Sequence, residues 1–179
     1  LGDCPLGLAF AGPSTGWCTS RGVGRCAVKI NFGRKGLKVL LTGNNGTIGK
    51  VVENELRTSG HFVVGYDLSG GFDVLNQRQL ISSSQGCDAI VHLAAIETEN
   101  SLETIRTNLV GTLNVLNTCK DLSIKRLVFM SSIDSLGIFQ GEDTPKYLPM
   151  DDQYPCHPQK AYSISKKLAE ELCADFADK

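Results

Sequence analysis

The stretch that decides the fold of this chain is Thr42-Gly43-Asn44-Asn45-Gly46-Thr47-Ile48-Gly49, which directly follows the apolar run Val39-Leu40-Leu41. Its three glycines have the spacing of a turn that leaves a β-strand and enters a helix. Gly43 permits the tight turn, Gly46 lets backbone N–H groups approach a pyrophosphate, and Gly49 allows the helix to pack closely on the sheet. The stretch therefore predicts a bound dinucleotide whose diphosphate lies at the positive end of a helix.

A glycine pattern of this kind is weak evidence alone, and the sequence on both sides strengthens it. An apolar strand precedes the turn, and Asp67 ends the next predicted strand. The helix predicted after the turn has four apolar side chains that we expect on one face: Ile48, Val51, Val52 and Leu56.

The composition is that of one ordinary soluble domain with a core: 179 residues, 41% hydrophobic, formal charge −1. There is no basic stripe or acidic tail, and no apolar run approaches the ~20 residues that span a bilayer, so we expect neither nucleic acid nor membrane as a partner. The cysteines have no C-x-x-C pair and no histidine at metal-ligand spacing, which predicts no metal site and reduced thiols in a cytoplasmic protein. There are seven: Cys4, Cys18, Cys26, Cys87, Cys119, Cys156 and Cys173.

Residues 1–36 differ from the rest of the chain. They contain eight of the nineteen glycines, the single tryptophan Trp17, and five basic residues against the one acid Asp3. The apolar run 6–12 is short for a signal-peptide core and lacks a basic region before it, whereas the basic, acid-poor composition leaves an organelle transit peptide open. We expect a disordered extension, or upstream sequence from an incomplete reading frame, outside the folded domain of residues 37–179.

From residue 37 onward, apolar strands alternate with amphipathic helices, which is typical of a parallel sheet covered on both faces. Strands are predicted near 37–42, 62–67, 88–94 and 126–131, with a shorter one around 72–75. Helices are predicted at about 47–59, ending at Gly60, at 101–120 with Asn100 as N-cap, and from about 159. Right-handed crossovers give the strand order 72–75, 62–67, 37–42, 88–94, 126–131, a Rossmann-like doubly wound α/β fold of three αβα layers.

Tyr162 and Lys166 are four residues apart on the last predicted helix, so their side chains share one face. A lysine ammonium beside a tyrosine favours the phenolate, and lowering a tyrosine pKa from ~10 toward 7 corresponds to about 4 kcal/mol. A plain surface helix is the alternative explanation of the pair. The position favours a site, because the preceding strand ends in Ser131 and Ser132 at the edge where ligands of such folds bind. A separate apolar stripe, predicted to face the core, lies about 100° away: Ala161, Ile164, Leu168 and Leu172.

Taken together, residues 37–179 resemble the extended short-chain dehydrogenase/reductases, the NAD-dependent epimerases and dehydratases of nucleotide sugars. Five motifs occur in the family's order, and in combination they are specific. They are T-G-x-x-G-x-x-G at 42–49, the acidic strand end Asp67, Asp73-Val74, H-L-A-A at 92–95, and Ser131-Ser132 followed by Tyr162-x-x-x-Lys166. The segment N-x-x-G-T-x-N-V-L at 108–116 also fits.

The resemblance implies that NAD is the cofactor. Asp67 would accept hydrogen bonds from the adenosine ribose, and the neutral 68–71 segment after it offers no arginine for a 2′-phosphate. Asp73 and Val74 would border the adenine, Asp73 less clearly because of the glycines before it. The implied cofactor-binding residues are Gly43, Asn45, Gly46, Thr47, Ile48, Gly49, Asp67, Asp73, Val74, Leu93, Ala94, Ala95, Asn108, Tyr162 and Lys166.

The resemblance also assigns catalytic roles. The Tyr162 phenolate would take a proton from a substrate hydroxyl while the carbon delivers hydride to the nicotinamide. Lys166 would lower the pKa of Tyr162 and bind the nicotinamide ribose, and Ser132 would hydrogen-bond the reacting oxygen, with Ser131 as the alternative donor. Asn108 is expected to tie its helix to the active-site strands rather than to act directly.

Two further residues are predicted to have no part in catalysis. His92, at the end of a buried strand, is interpreted as a satisfied core histidine. Cys156, beside His157 in a proline-bounded loop, could be taken for a nucleophile, but no general base at defined spacing accompanies it.

The sequence departs from the family pattern in three places. Ser135-Leu136-Gly137 stands where V-Y-G is usual, Ser163 replaces the glycine after the tyrosine, and the chain stops at Lys179, where relatives continue with a sixth strand and a substrate lobe. We therefore expect the cofactor half of an NAD-dependent epimerase, dehydratase or dehydrogenase for a sugar, most plausibly a nucleotide sugar. The alternatives are a non-catalytic dinucleotide-binding module and a fragment that is inert alone. A homodimer is expected only by analogy.

Overall fold

The computed structural model describes residues 7–10, 36–138, 144–150 and 154–177. A sheet of five parallel strands runs through the centre in the order β1-β5-β4-β2-β3. The strands are β1 (Gly7–Phe10), β2 (Lys38–Thr42), β3 (Phe62–Tyr66), β4 (Ala89–His92) and β5 (Arg126–Phe129).

Helices connect each pair of consecutive strands from β2 to β5. They are α1 (Thr47–Thr58), α2 (Gln77–Ser83), α3 (Ser101–Ile105), α4 (Gly111–Asp121) and α5 (Ala161–Ala177), with a π-helical turn over Arg106–Val110 between α3 and α4. The predicted cap of α3 is confirmed, since Asn100 accepts hydrogen bonds from the backbone N–H groups of Leu102 and Glu103.

Alternate residues of each central strand point to opposite faces and build two cores. On one face Leu40, Ile90 and Leu127 pack with Val115 of α4 and Ala169 of α5. On the other face, where α1 lies, the core consists of Leu37, Val39, Leu41, Val52, Leu56, Val63, Ala89 and Val91. The prediction of a Rossmann-like sheet covered on both faces is confirmed.

The prediction of a strand around residues 72–75 is wrong. Asp73 accepts a hydrogen bond from the N–H of Leu75 at 2.8 Å through its own carboxylate, and its carbonyl accepts one from the Tyr66 hydroxyl at 2.7 Å. This local turn uses the backbone groups that a strand would need, although Val74 is still buried in the core. The short helix α2, which was not predicted, follows with Asn76 as its N-cap.

Sequence analysis predicted no strand within residues 1–36, yet Gly7–Phe10 pairs in parallel with β5, from Gly7 opposite Arg126 to Phe10 opposite Phe129. The segment belongs to the short uncharged run 6–12, and such a run can add to an open sheet edge. Residues 1–6 and 11–35 lie outside the described residues, so the domain boundary at residue 36 stays a prediction. Within the part of the chain that the structure describes, no helix is both long and apolar enough to cross a bilayer.

Two predicted buried faces are wrong. On α1, Ile48 and Val51 are 54% and 61% exposed, and the inner face instead consists of Gly49, Val52 and Leu56. On α5, Leu168 of the predicted core stripe is 39% exposed. Polar contacts set the rotation of α5, and its buried residues are Ser163, Ser165, Lys166, Ala169, Cys173 and Ala177.

Candidate active site

The glycine-rich turn lies at the carboxyl end of β2 and leads into α1. Gly43 has a φ of 73°, and a Cβ there would lie 2.8 Å from the Ala94 nitrogen. A Cβ at Gly49 would lie 2.0 Å from the Gly43 carbonyl oxygen, so Gly49 packs on the turn itself, not on the sheet as predicted. Both positions admit only glycine.

The first turn of α1 is open to solvent. Residues 45–48 are exposed, and the N-cap Gly46 carries no side chain that could satisfy the first N–H groups of the helix. These N–H groups and the helix dipole favour an anion at this end. The turn fits the diphosphate of a dinucleotide. Gly43 lets the backbone pass close to that of Ala94, and the first turn of α1 stays open to solvent.

Asp67, directly after β3, is joined to the same turn. Its carboxylate accepts hydrogen bonds from the Asn45 N–H at 3.2 Å and from the Ser69 N–H and hydroxyl at 2.9 and 2.7 Å. Burial opposes ionisation, but these hydrogen bonds and the Lys50 ammonium outweigh it and hold the pKa of Asp67 below its ordinary value. A charged acceptor therefore lies beside the turn, where the predicted ribose contact requires one.

A cavity of about 450 Å³ adjoins this acceptor. Asp73 is among its lining residues, which agrees with the predicted position of Asp73 beside an adenine. Val74 is buried against Gly111, where an added Cβ would lie 2.8 Å from a Val74 methyl, so it supports the cavity wall from behind. The lining residues are Leu68, Asp73, Leu75, Ile96, Thr98, Asn100, Leu102, Glu103, Arg106 and Thr107.

The segment Leu93-Ala94-Ala95 follows β4 beside the turn. The N–H groups of Leu93 and Ala94 both donate to the Thr42 hydroxyl, each at 3.2 Å. Thr42 thus fixes the backbone that the predicted cofactor would cross, a role that sequence analysis missed.

The interpretation of His92 as a core residue is confirmed. It is 1% exposed, and its ring nitrogens lie 2.7 Å from the Thr42 hydroxyl and 3.1 Å from the Thr112 hydroxyl. Burial, with a smaller contribution from the Lys166 charge, lowers the pKa of His92 to about 3. The imidazole is therefore neutral and fully hydrogen-bonded, and does not act as a proton carrier.

Asn108 lies in the π-helical turn and is 2% exposed. Its amide oxygen accepts from the Ile96 N–H at 2.8 Å, and its amide nitrogen donates to the Ile96 carbonyl at 2.8 Å and to the Ser165 hydroxyl at 2.9 Å. Ser165 in turn donates to the Tyr162 carbonyl at 2.7 Å. Asn108 therefore ties the loop after β4 to the helix that carries Tyr162, and its predicted cofactor contact stays a prediction.

Ser132 and Tyr162, the predicted oxygen binder and base, lie next to one another, and the Ser132 hydroxyl lowers the pKa of the phenol. Ser132 also donates to the Asp134 carboxylate at 3.1 Å. The alternative donor Ser131 is engaged elsewhere, since its hydroxyl donates to Glu170. The structure thus places Ser132, not Ser131, beside the Tyr162 phenol.

The pKa of Tyr162 does not behave as predicted. Burial raises it above its ordinary value of 10.0, the nearby Ser132 hydroxyl offsets this only in part, and the Asp134 and Glu97 carboxylates raise it further. The Lys166 nitrogen lies 5.8 Å from the centre of the Tyr162 ring. In this structure the phenol form of Tyr162 is favoured.

Lys166 is buried, with 3% exposure, at the base of this cleft. Its ammonium donates to the Met130 carbonyl at 2.9 Å and lies 5.2 Å from the centre of the Phe129 ring. Burial lowers the pKa of Lys166 to about 8, against a raising effect of the Glu170 carboxylate.

Cys156 is unsuited to the nucleophile role that sequence analysis rejected. Burial raises the pKa of its thiol, with the Glu170 and Glu171 carboxylates adding to the effect and Lys167 opposing it. Its sulfur lies 3.5 Å from the Tyr154 carbonyl oxygen.

Sequence reasoning missed four residues that organise the site: Thr42, Asp134, Ser165 and Glu170. Ser165 and Glu170 lie three and eight residues after Tyr162 on α5. Helical spacing could have placed Ser165 beside Asn108 only if the rotation of α5 had been known.

A model of the NAD dependent epimerase/dehydratase family matches residues 39–179. Over 155 residues the chain is 24% identical to the uronate dehydrogenase of Pseudomonas putida, covering 79% of this chain and 56% of that protein. It is 26% identical over 157 residues to the dTDP-6-deoxy-L-talose 4-dehydrogenase (NAD(+)) of Aggregatibacter actinomycetemcomitans, covering 79% of this chain and 56% of that protein.

Among solved structures, the UDP-glucose 4-epimerase of Brucella ovis in complex with NAD superposes with a TM-score of 0.71 at 27% identity. The likeness covers 79% of this chain and 48% of that one. The chain spans about half the length of the curated relatives it matches.

Proposed function

Because this chain belongs to the NAD-dependent epimerase/dehydratase family, we propose that it supplies the cofactor-binding half of an enzyme that oxidises a sugar hydroxyl. The substrate is a sugar or nucleotide sugar, and the net reaction is epimerisation, dehydration or simple oxidation. The activities of the relatives, which include dehydrogenases and an epimerase, support the substrate class.

The observation that carries the proposal is the juxtaposition of Tyr162, Ser132 and Lys166 at the carboxyl edge of the sheet. The glycine-rich turn follows β2, and Ser132 follows β5, with only β4 between these strands. A phenol, a hydroxyl and the Lys166 ammonium thus lie on the edge that carries the anion-binding turn. A module that only holds a nucleotide would not need this polar cleft.

The residues of this chain divide the work between them. The turn at 43–49 and the start of α1 would hold the diphosphate, and the Asp67 carboxylate would hold the ribose hydroxyls. Bound NAD would supply the hydride acceptor. Ser132 would orient the reacting oxygen, Tyr162 would exchange the proton at that oxygen, and Lys166 would place a positive charge next to the phenol.

The raised pKa of Tyr162 gives this mechanism a direction. A protonated phenol is ready to donate a proton to a carbonyl oxygen, whereas taking a proton from a hydroxyl first requires its ionisation. Oxidation of a substrate hydroxyl, with Tyr162 as the base, should therefore become faster as the pH rises toward the pKa of the phenol.

The test combines cofactor binding with turnover. This chain should bind NADH in a nicotinamide fluorescence titration, and the wild-type enzyme to which it supplies the cofactor half should reduce NAD with at least one member of a panel of UDP-, dTDP- and free sugars. Tyr162→Phe should keep NADH binding and lose turnover, and Tyr147→Phe, at an exposed ring outside the cleft, should keep both. Undiminished turnover by Tyr162→Phe, or no turnover by the wild type with any sugar, would contradict the proposal.

A further inference from the structure

Glu170 lies on α5 one helical turn beyond Lys166, and its carboxylate contacts the segment that carries Ser132. It accepts hydrogen bonds from Ser131 and, at 3.3 Å, from Ser135. Both serines belong to the loop that follows β5, one on each side of Ser132. One carboxylate thus holds both flanks of the residue that the phenol contacts.

A third contact joins the same loop to α5. The Lys166 ammonium donates to the Met130 carbonyl at 2.9 Å. Residues 130–135 are therefore fixed to α5 through Met130, Ser131 and Ser135, and two of these three contacts end on Glu170. The position of Ser132 relative to Tyr162 depends on these contacts, because the hydrogen bonds of the Ser132 hydroxyl are made with Asp134, within the same segment.

Glu170 also acts on the charge of Lys166. The groups around the Lys166 ammonium are the Glu170 carboxylate and the Cys173 thiol on α5, the Tyr162 ring on the same helix, the neutral His92 ring on β4, and the Phe129 ring and Met130 carbonyl of β5. Burial drives the lysine toward its neutral form, and the carboxylate opposes it. Glu170, whose carboxylate also lies 3.9 Å from the Lys167 ammonium, thus favours the ammonium form of Lys166.

We propose that Glu170 is a positioning residue that holds the segment bearing Ser132 against α5 and whose charge favours the ammonium form of Lys166. This inference rests on the proposed function for the roles of Ser132 and Lys166. The contacts and the charge effect of Glu170 can be measured without substrate or cofactor. Failure of this inference is therefore distinguishable from failure of the proposed function.

Glu171 offers a matched control. It is the next residue on α5, lies on the exposed side and pairs with Lys167 at 3.7 Å, a lysine that also lies 3.9 Å from Glu170. Glu170→Gln keeps an oxygen that can accept from Ser131 but removes the charge, whereas Glu170→Ala removes both. Glu171→Gln and Glu171→Ala make the same changes outside the site.

The first measurement is the titration of Lys166 by NMR in protein with ¹³C-labelled lysine, with its signal assigned from Lys166→Arg. Glu170→Gln should lower the pKa of Lys166 by about half a unit or more, as loss of a nearby opposite charge requires, and Glu171→Gln should leave it unchanged. An unchanged pKa of Lys166 in Glu170→Gln would overturn the electrostatic part of the proposal.

The second measurement is amide hydrogen exchange of residues 130–135. Glu170→Ala should speed exchange in this segment at least tenfold, Glu170→Gln should have a smaller effect, and Glu171→Ala should match the wild type. Circular dichroism of each variant guards against general unfolding. Equal exchange in Glu170→Ala and wild type, or equal acceleration throughout the chain, would overturn the positioning role.

Discussion

The Lys166 ammonium donates a hydrogen bond to the Met130 carbonyl oxygen, 2.9 Å away, at the carboxyl end of β5. The lysine is almost fully buried, and its pKa is lowered to about 8 from the ordinary 10.5 because burial disfavours the charge. A charged side chain is thus retained at a position where an apolar one would suit the core better. The buried Lys166 ammonium makes the folded state less stable, but the proposed chemistry needs this group.

Lys166→Met should therefore stabilise the fold in a pH-dependent way. The folded pKa of Lys166 is depressed, so between about pH 8 and 10.5 the unfolded chain binds more protons and stability rises with pH. The destabilisation is complete below pH 8, where it is about 3 kcal/mol at most, less the lost hydrogen bond. Replacing Lys166 with methionine should therefore raise the free energy of unfolding at pH 7 and have no effect on it above pH 10.5.

Urea unfolding at pH 7 and pH 10.5 checks this, with Lys120→Met at the exposed end of α4 as control. An equal loss of stability for both methionine variants at pH 7 would contradict the assigned cost of burying Lys166.

His92 should make the fold sensitive to acid. Its folded pKa of about 3 lies below the ordinary 6.5, so the unfolded state binds more protons between these values and stability falls as the pH drops through this window. At pH 5 the loss from this residue is about 2 kcal/mol. His92→Gln should flatten the dependence of unfolding free energy on pH between 6.5 and 4, and His157→Gln, on the exposed loop, should not. Parallel curves for His92→Gln and wild type would refute this.

The sequence allowed the central sheet to be predicted because strong local signals agreed with the tertiary fold. The apolar strands β2 and β4 are buried on both faces, and Gly60 ends the segment after α1 with a φ of 85°. The prediction of a strand at Asp73 was wrong because a hydrogen bond from the Leu75 N–H to the Asp73 side chain competes with strand pairing. Periodicity does not report such a bond.

For the site, residue types and order were enough to predict that Ser132, Tyr162 and Lys166 lie at one edge of the sheet, but not their electrostatics. The phenol pKa depends on burial and on Asp134 and Glu97, which the tertiary fold brings near it. Likewise, the rotation of α5 is fixed by polar contacts of Lys166 and Ser165 that oppose the apolar pattern. Contacts between distant segments decide both properties, and no local window of sequence contains them.

Gly49→Ala should damage the anion-binding turn. The new Cβ would lie 2.0 Å from the Gly43 carbonyl oxygen, so the turn or the start of α1 must move. We expect a loss of about 2 kcal/mol in stability and at least tenfold weaker NADH binding. Asn54→Ala is the control, because it changes an exposed side chain of α1 outside the turn. If Gly49 did not pack against the Gly43 carbonyl oxygen, thermal unfolding and fluorescence titration would show equal effects of the two variants.

Asp67→Asn should change the preference between the two nicotinamide dinucleotides. Removing the carboxylate charge weakens acceptance from the ribose hydroxyls and relieves repulsion of a 2′-phosphate, while Lys50 stays nearby. The ratio of NADH to NADPH affinity should fall about tenfold, or 1.4 kcal/mol. Asp121→Asn, at the exposed end of α4, should leave the ratio at the wild-type value. A ratio unaltered in Asp67→Asn would remove Asp67 from the ribose site.

The central claim is that a cofactor held by the glycine-rich turn presents its nicotinamide to the Tyr162 ring. The most direct measurement is a nuclear Overhauser effect between the nicotinamide protons of bound NAD and the ring protons of Tyr162, assigned by comparison with Tyr162→Phe. We predict a cross-peak to Tyr162, none to Tyr147, and loss of both binding and cross-peak in Gly49→Ala. Saturating NAD binding without any contact to the Tyr162 ring would contradict the account.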